Sequence, residues 1–396
     1  MAFDPQAETA RYIDSLGAAN LQKAHDYTIG GHWLLLWGLA VGALVAWLIV
    51  RSGFLDRLEA RIPERRRALR SFVVPAAYVV ISSLLTLPWS LYSGWWREQA
   101  YGRTSQPLGD FLGQAAISLV IGTLLLSLFM MGVYWLIRRT GPRWWLWSGG
   151  FAAAALALVM LLSPVLIEPL FNKYEPIPAG PVHEAVAEMA GRAGIPENKI
   201  YLFNGSRQSN NFTANAGGVG STARVAISDV AMNKASLDEV RAVTGHEIGH
   251  YVLKHTWWGI LVASLTLIVL LFIADRLFPR FARAFGSSAT IGDPRGIPVL
   301  AFMVSLFALA ASPILSTFSR TIETAADQYS LRTENRPDAL SSALVKTAEY
   351  RYPRPGALEE IIFYDHPSVE RRVRSAMEWK AAHPGPPAVD AGGGRI

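Results

Sequence analysis

Long apolar runs separated by short polar stretches fill the first part of the chain, return twice later, and are interrupted by one extended polar segment. A run of about 18 or more apolar residues reads as a membrane-spanning helix, because in hydrocarbon every backbone polar group must be satisfied inside the segment. Six runs qualify: His32–Val50, Ser71–Trp95, Ala115–Ile137, Trp144–Phe171, Trp257–Phe278 and Ile297–Thr317. Each has Trp, Tyr or Arg near at least one end, where interfacial anchors belong. The first run follows an amphipathic stretch, Ala7–Tyr27, and no small-residue cleavage site comes after it, so it reads as a retained span and not a cleaved signal.

Between the fourth and fifth runs the pattern becomes that of a water-exposed segment, with Lys173, Glu175, Glu184, Glu188, Arg192, Glu197 and Lys199 close together. Val182, Val186 and Met189 share one face of a predicted helix over Pro181–Ala193, closed by Gly194-Ile195-Pro196. Strands are expected at Lys199–Phe203 and Ala223–Ile227, joined by a polar, glycine-rich segment. Ser236-Leu237-Asp238-Glu239 is a capping box that starts the next helix.

Composition supports this division. Of 396 residues 51% are hydrophobic and 17% charged, against about 25% charged in ordinary soluble domains, which excludes disorder, collagen and coiled coil. Arg and Lys between spans mark the cytoplasmic face, and Arg51–Arg70 alone holds seven Arg. Arg138, Arg139 and Arg143 agree with that loop, as do Arg276, Arg280 and Arg283, so strict alternation places Asn172–His255 on the opposite face. The net charge of +6 thus sits largely beside membrane, and no nucleic-acid partner is expected. With no Cys there is no disulfide, thiolate metal site, cysteine nucleophile or thioester lipid, so any metal must sit on His, Asp or Glu.

His246-Glu247-Ile248-Gly249-His250 forms HExxH inside the capped helix. Its i, i+4 spacing puts both imidazoles on one helical face, within reach of one cation, with Glu247 placed to take a proton from bound water. The pattern arises by accident in on the order of 1 in 100 such chains. A catalytic zinc usually needs a third protein ligand. The helical stretch after the last apolar run carries Glu323 and Asp327 on one face, the first a candidate ligand, the second a candidate acceptor for the far nitrogen of one histidine. The same pair also fits a solvated acidic helix face.

Together these residues resemble the integral-membrane zinc endopeptidases of the type I CAAX prenyl protease family, related more distantly to the heat-shock-type membrane zinc proteases. The resemblance runs from about Gln22 to Arg374. It includes Leu87-Pro88-Trp89-Ser90-Leu91-Tyr92, Phe171-Asn172-Lys173-Tyr174-Glu175-Pro176, the HExxH, Ser319-Arg320 with Glu323, Ala326 and Asp327, and His366-Pro367-Ser368 with Arg372. It implies Glu323 as the third ligand of one Zn2+, and His366 and Arg372 near the substrate backbone and the tetrahedral oxyanion. It also implies a strand that pairs with an extended substrate. Ungapped alignment on Gly218-Val219-Gly220 and Arg224 puts Thr213-Ala214 at that strand's Asn-Ala, and Asn215 enters with a shift of register. The family tends to carry one further spanning helix at the N-terminus, and this chain aligns from their second. By resemblance the catalytic part faces the cytosol, opposite to what the Arg loops give; a bacterial source would place it in the inner membrane.

The expected fold is mostly α, polytopic with about six spans, and has a zincin-like α+β catalytic part split by a membrane hairpin. The segments are an amphipathic 1–31, a four-span region 32–171, a first catalytic part 172–255, the hairpin 256–318, a second catalytic part 319–380 and a disordered tail 381–396. The expected chemistry is peptide hydrolysis, in which zinc lowers the pKa of its water from about 15.7 toward about 7 and Glu247 takes the proton. Expected partners are a peptide or protein substrate, lipidated or membrane-bound, and membrane lipid. Two alternatives share the fold: a broad-specificity protease for membrane-protein quality control, and an inactive metal-binding scaffold or chaperone.

Overall fold

The computed structural model describes residues 3–384 apart from 212 and 219–221; the expected tail from 385 onward and the Val219-Gly220 pair lie outside the described residues. Helix α1 (Pro5–Asp14) starts on an Asp4 cap and leads into α2 (Gly17–Ser52), the first crossing. A left-handed Gly53 ends α2 and turns the chain into α3 (Phe54–Ala60), followed by α4 (Arg67–Leu91), a widened turn, and α5 (Arg97–Ala100).

Five helical stretches are long and apolar enough to span a bilayer: Gly17–Ser52, Arg67–Ala100, Leu108–Leu170, His255–Phe285 and Pro294–Glu334. The third, at 63 residues, is about three times the length one crossing needs. It is two arms, α6 (Leu108–Thr140) and α7 (Trp144–Leu162), reversed at Gly141-Pro142-Arg143, where Gly141 has φ 57°. Phe151 returns against Gly132 and stacks on Phe129, closing the hairpin. Six crossings result. Val120, Leu124, Leu158, Leu265 and Ile314 point outward, as side chains facing lipid do. The acid within the fifth crossing, Asp275, accepts a 2.8 Å hydrogen bond from Trp144 Nε1, which satisfies one of its oxygens.

The water-exposed part opens with β1 (Tyr174–Pro176), α8 (Pro181–Arg192), β2 (Ile200–Phe203), β3 (Ala214–Gly217) and β4 (Arg224–Ser228). Strand order is β1-β2-β4-β3, with β2 and β4 parallel and the outer pairs antiparallel, so β3 is an edge strand. Val182, Val186 and Met189 of α8 bury against Ile200, Val225 and Ile227 of the sheet. Arg224 joins this sheet to the membrane part. It pairs with Glu168, lies over the Tyr174 ring, and donates to the carbonyl of Pro164, in the widened turn that ends α7.

Two short steps, α9 (Asp229–Lys234) and the HExxH helix α10 (Leu237–Val252), lead to α11 (His255–Phe285) and α12 (Ile297–Glu334), the membrane hairpin. The chain closes with α13 (Pro337–Thr347), α14 (Ala357–Phe363) and α15 (Val369–Ala382). A second buried cluster draws Ile13 of α1, Ala242 of α10, Leu331 of α12, Leu340 and Leu344 of α13 and Val373 and Met377 of α15 together. The amphipathic start of the chain is thus part of the catalytic layer: Tyr12 Oη donates to Asp338 at 3.0 Å and Arg354 pairs with Asp14 at 2.9 Å.

The three Arg-rich loops gather at the other end of the bundle. Arg295 pairs with Asp56 and Glu59, Arg138 donates to Ser71 at 3.2 Å, and Ile137 packs on Gly292.

Candidate metal centre

Helix α10 begins with the complete capping box, Ser236 accepting from the Glu239 amide at 3.3 Å while Glu239 accepts from the Ser236 amide at 2.8 Å. The cap satisfies amides that would otherwise be orphaned at the start of a helix buried along most of its length. Two glycines then let α12 come close: a Cβ at Gly249 would stand 3.3 Å from the Ala326 Cα and 3.1 Å from the Tyr329 Cβ, and one at Gly245 would stand 3.0 Å from the Ser330 Oγ. The approach sets Glu323 and Asp327 of α12 across from the two histidines.

His246 Nε2 and His250 Nε2 are 3.1 Å apart. Glu323 faces both, Oε2 at 3.3 Å from His246 Nε2 and Oε1 at 3.4 Å from His250 Nε2. Among the described residues this is the one group of His, Asp and Glu side chains whose ligating atoms all lie within 4.8 Å of one another. Glu323 Oε2 is buried without a hydrogen bond. A carboxylate oxygen left that way costs free energy unless a cation meets it, so two imidazoles and this oxygen fit a divalent metal.

Asp327 accepts from His246 Nδ1 at 2.9 Å and takes a bidentate pair from Arg372, Nε and Nη2 each at 2.7 Å. The resemblance places Arg372 by the oxyanion. Its guanidinium is held on Asp327, 3.8 Å from Glu323 Oε2. Burial works against the Arg372 charge, and these carboxylates together outweigh it and raise the pKa further. His366 brings Nε2 to 3.4 Å from Glu323 Oε2 and holds its Nδ1 against Asp365 Oδ1 at 2.8 Å. That hydrogen bond keeps the Asp365 carboxyl below its ordinary range.

Burial disfavours the charged form of His246, and the hydrogen bond to Asp327 together with the facing Glu323 carboxylate outweighs burial, pushing the imidazole up to about 10. Burial raises the Glu247 carboxyl, with Glu323 adding to the rise and the histidines and Arg372 opposing it. Glu247 lines a cavity of about 240 Å³ together with Thr213, Ala214, Leu344, His366 and Arg372. Thr213 and Ala214 thus border the cavity from the edge strand. Asn215 is exposed on β3 and is not among the residues that line the cavity.

One neighbour is absent from the HExxH reading. His255, the first residue of α11, brings Nδ1 to 3.0 Å from His250 Nδ1. A third histidine five residues beyond the motif is the signal that could have found it.

The chain is similar to known proteins. The profile of Peptidase family M48 matches residues 176–380, and that of the CAAX prenyl protease N-terminal, five membrane helices, matches residues 7–173. The chain is 27% identical over 380 residues to the uncharacterized metalloprotease YhfN of Bacillus subtilis, covering 94% of this chain and 88% of that protein. It is 25% identical over 404 residues to a CAAX prenyl protease 1 homolog of Caenorhabditis elegans, covering 92% and 89%. With CAAX prenyl protease 1 of Saccharomyces cerevisiae it shares 27% identity over 363 residues, covering 85% and 76%. The crystal structure of S. mikatae Ste24p superposes with a TM-score of 0.74 at 22% identity, covering 94% of this chain and 95% of that one, and shows the common fold. With helices long and apolar enough to span a bilayer, a His-His-Glu group that could hold a metal, and a family profile over residues 176–380, the chain belongs to Peptidase family M48 and is a multi-pass membrane metalloendopeptidase.

Proposed function

We propose that the centre holds one zinc ion on His246, His250 and Glu323 and hydrolyses peptide bonds with Glu247 as general base. The observation that carries this reading is the buried Glu323 carboxylate facing two imidazole nitrogens beside a cavity that Glu247 lines. Two imidazoles and one carboxylate suit zinc and leave a position for water and substrate. Zinc, when bound, supplies Lewis acidity and a water acidified to near neutrality.

The chain's own residues do the rest. Asp327 accepts the Nδ1–H of His246 and so keeps Nε2 turned to the metal, while Arg372 fixes Asp327. Glu247 takes the proton of the attacking water and returns it to the leaving amine; its burial suits it to carry that proton between the two steps. His366, whose Nδ1 donates to Asp365, presents Nε2 toward the centre, and in its doubly protonated form that nitrogen donates to the developing oxyanion. An extended substrate adds to the outer edge of β3 at Thr213 and Ala214 through main-chain hydrogen bonds, which fix its direction and read little of its sequence.

The substrate we propose is a membrane-bound or lipidated polypeptide cut near its C-terminus. Relatives named as CAAX prenyl proteases support this, as does a centre packed directly on a membrane hairpin. The test is a cut-site profile of the purified protein with Zn2+, on paired C-terminally lipidated and unlipidated peptides, with Glu247→Ala as the control. Cleavage confined to one site near the lipidated end supports the reading. Cuts scattered along both peptides would replace it with membrane-protein quality control.

A further inference from the structure

We propose that His255 is a positioning residue of the metal centre: its Nδ1 accepts the Nδ1–H of His250 and so holds that imidazole with Nε2 turned to the metal. The inference rests on His246, His250 and Glu323 being the metal ligands, and it adds a group that lies outside the HExxH motif.

The two Nδ1 atoms are 3.0 Å apart, with the rings edge to face at 75° and centroids 5.0 Å apart. At that separation one nitrogen carries the hydrogen and the other accepts it. His250 Nε2 is the atom that faces His246 and Glu323, so it must be bare to bind a cation, and the hydrogen of neutral His250 then sits on Nδ1. His255 is therefore the acceptor. The two ligand imidazoles are oriented by unlike partners, an anionic carboxylate at His246 and a neutral ring at His250.

The backbone shows how the contact is made. Helix α10 ends at Val252 and α11 begins at His255, with Lys254 in the left-handed region at φ 58°. Non-glycine residues rarely adopt that conformation. Here it folds the first turn of a membrane helix back on the last turn of the HExxH helix. His255 is 7% exposed, so its contact with His250 is sheltered from competing water.

The test measures the Zn2+ dissociation constant of the purified full-length protein against a competing chelator. His255→Phe keeps a ring of similar size without an acceptor, and His255→Gln keeps an acceptor without the ring. Loss of such an orienting partner typically weakens metal binding about 10- to 100-fold. His255→Phe is expected to show that loss and His255→Gln to recover most of it. Equal affinity in the parent and His255→Phe would overturn the proposal, and so would a Gln variant as weak as Phe, since ring shape would then be what matters. Melting of the metal-free proteins reports folding; should Phe not fold, His255→Leu against His255→Asn makes the same comparison. A parent that binds no Zn2+ would instead overturn the ligand assignment beneath it.

Discussion

Glu323 Oε2 stands 3.3 Å from His246 Nε2 although two membrane-crossing helices separate them in the chain. The centre is therefore a tertiary product. Two glycines on α10 and small residues on α12 make the approach, and Asp327 with Arg372 fixes the orientation.

Glu247→Ala is expected to retain zinc and lose hydrolysis about 10²- to 10⁴-fold, the usual contribution of a positioned base. Metal content together with turnover of a generic peptide checks it. A variant that cleaves as fast as the parent would remove Glu247 from the mechanism.

His366→Phe keeps bulk at the mouth of the site and removes the donor, which predicts a fall in kcat of about 10²- to 10³-fold with zinc still bound. If instead the metal is lost and kcat per bound zinc is unchanged, His366 serves the metal and not the oxyanion.

Zinc affinity should depend on pH. His246 of the metal-free centre has its pKa raised to about 10, so below that value binding must expel a proton from Nε2. The sign follows: affinity increases as pH rises toward about 10, by about tenfold per pH unit for one proton released. Chelator competition across neutral to alkaline pH measures the slope, and a flat profile would count against the raised imidazole.

Arg372→Lys replaces a two-pronged clamp on Asp327 with a single ammonium. We expect zinc affinity to fall by about tenfold or more while the fold persists, read by chelator competition alongside thermal melting. Unchanged affinity would show that Asp327 holds His246 without help.

Gly249→Val should fail differently. Even a single Cβ there meets Tyr329 at 3.1 Å and the Ala326 backbone at 3.3 Å, so a branched side chain pushes α12 away. The expected result is a lower melting temperature together with lost zinc binding, since packing and ligand spacing share one contact. A Val variant with normal metal binding would mean that α12 yields without moving Glu323.

The crossings were legible in the sequence because hydrocarbon imposes a length and leaves no polar alternative, and the α10 start was legible because a capping box is a local code. Contacts between distant elements were not. The start of the chain reads only as an amphipathic segment, yet Ile13 of α1 is buried against α13 and α15, an interface with no local signature. Arg372 is visible as an Arg, but its partner is chosen by how α15 lies on α12. The place of His255 depends on a left-handed Lys254, which residue type disfavours.

Helix α12 runs unbroken from Ile297 to Glu334, so the rod that crosses the membrane is the same rod that carries Glu323. A bilayer thinner or thicker than its apolar length makes such a helix tilt, and Pro313 is the one interior proline between the lipid-embedded portion and the carboxylate where part of the swing can bend out. Whatever tilt passes Pro313 reaches Glu323, so membrane thickness bears on the spacing of the candidate ligands. Activity in a graded series of phosphatidylcholine chain lengths should pass through an optimum, and a detergent micelle need not reproduce it.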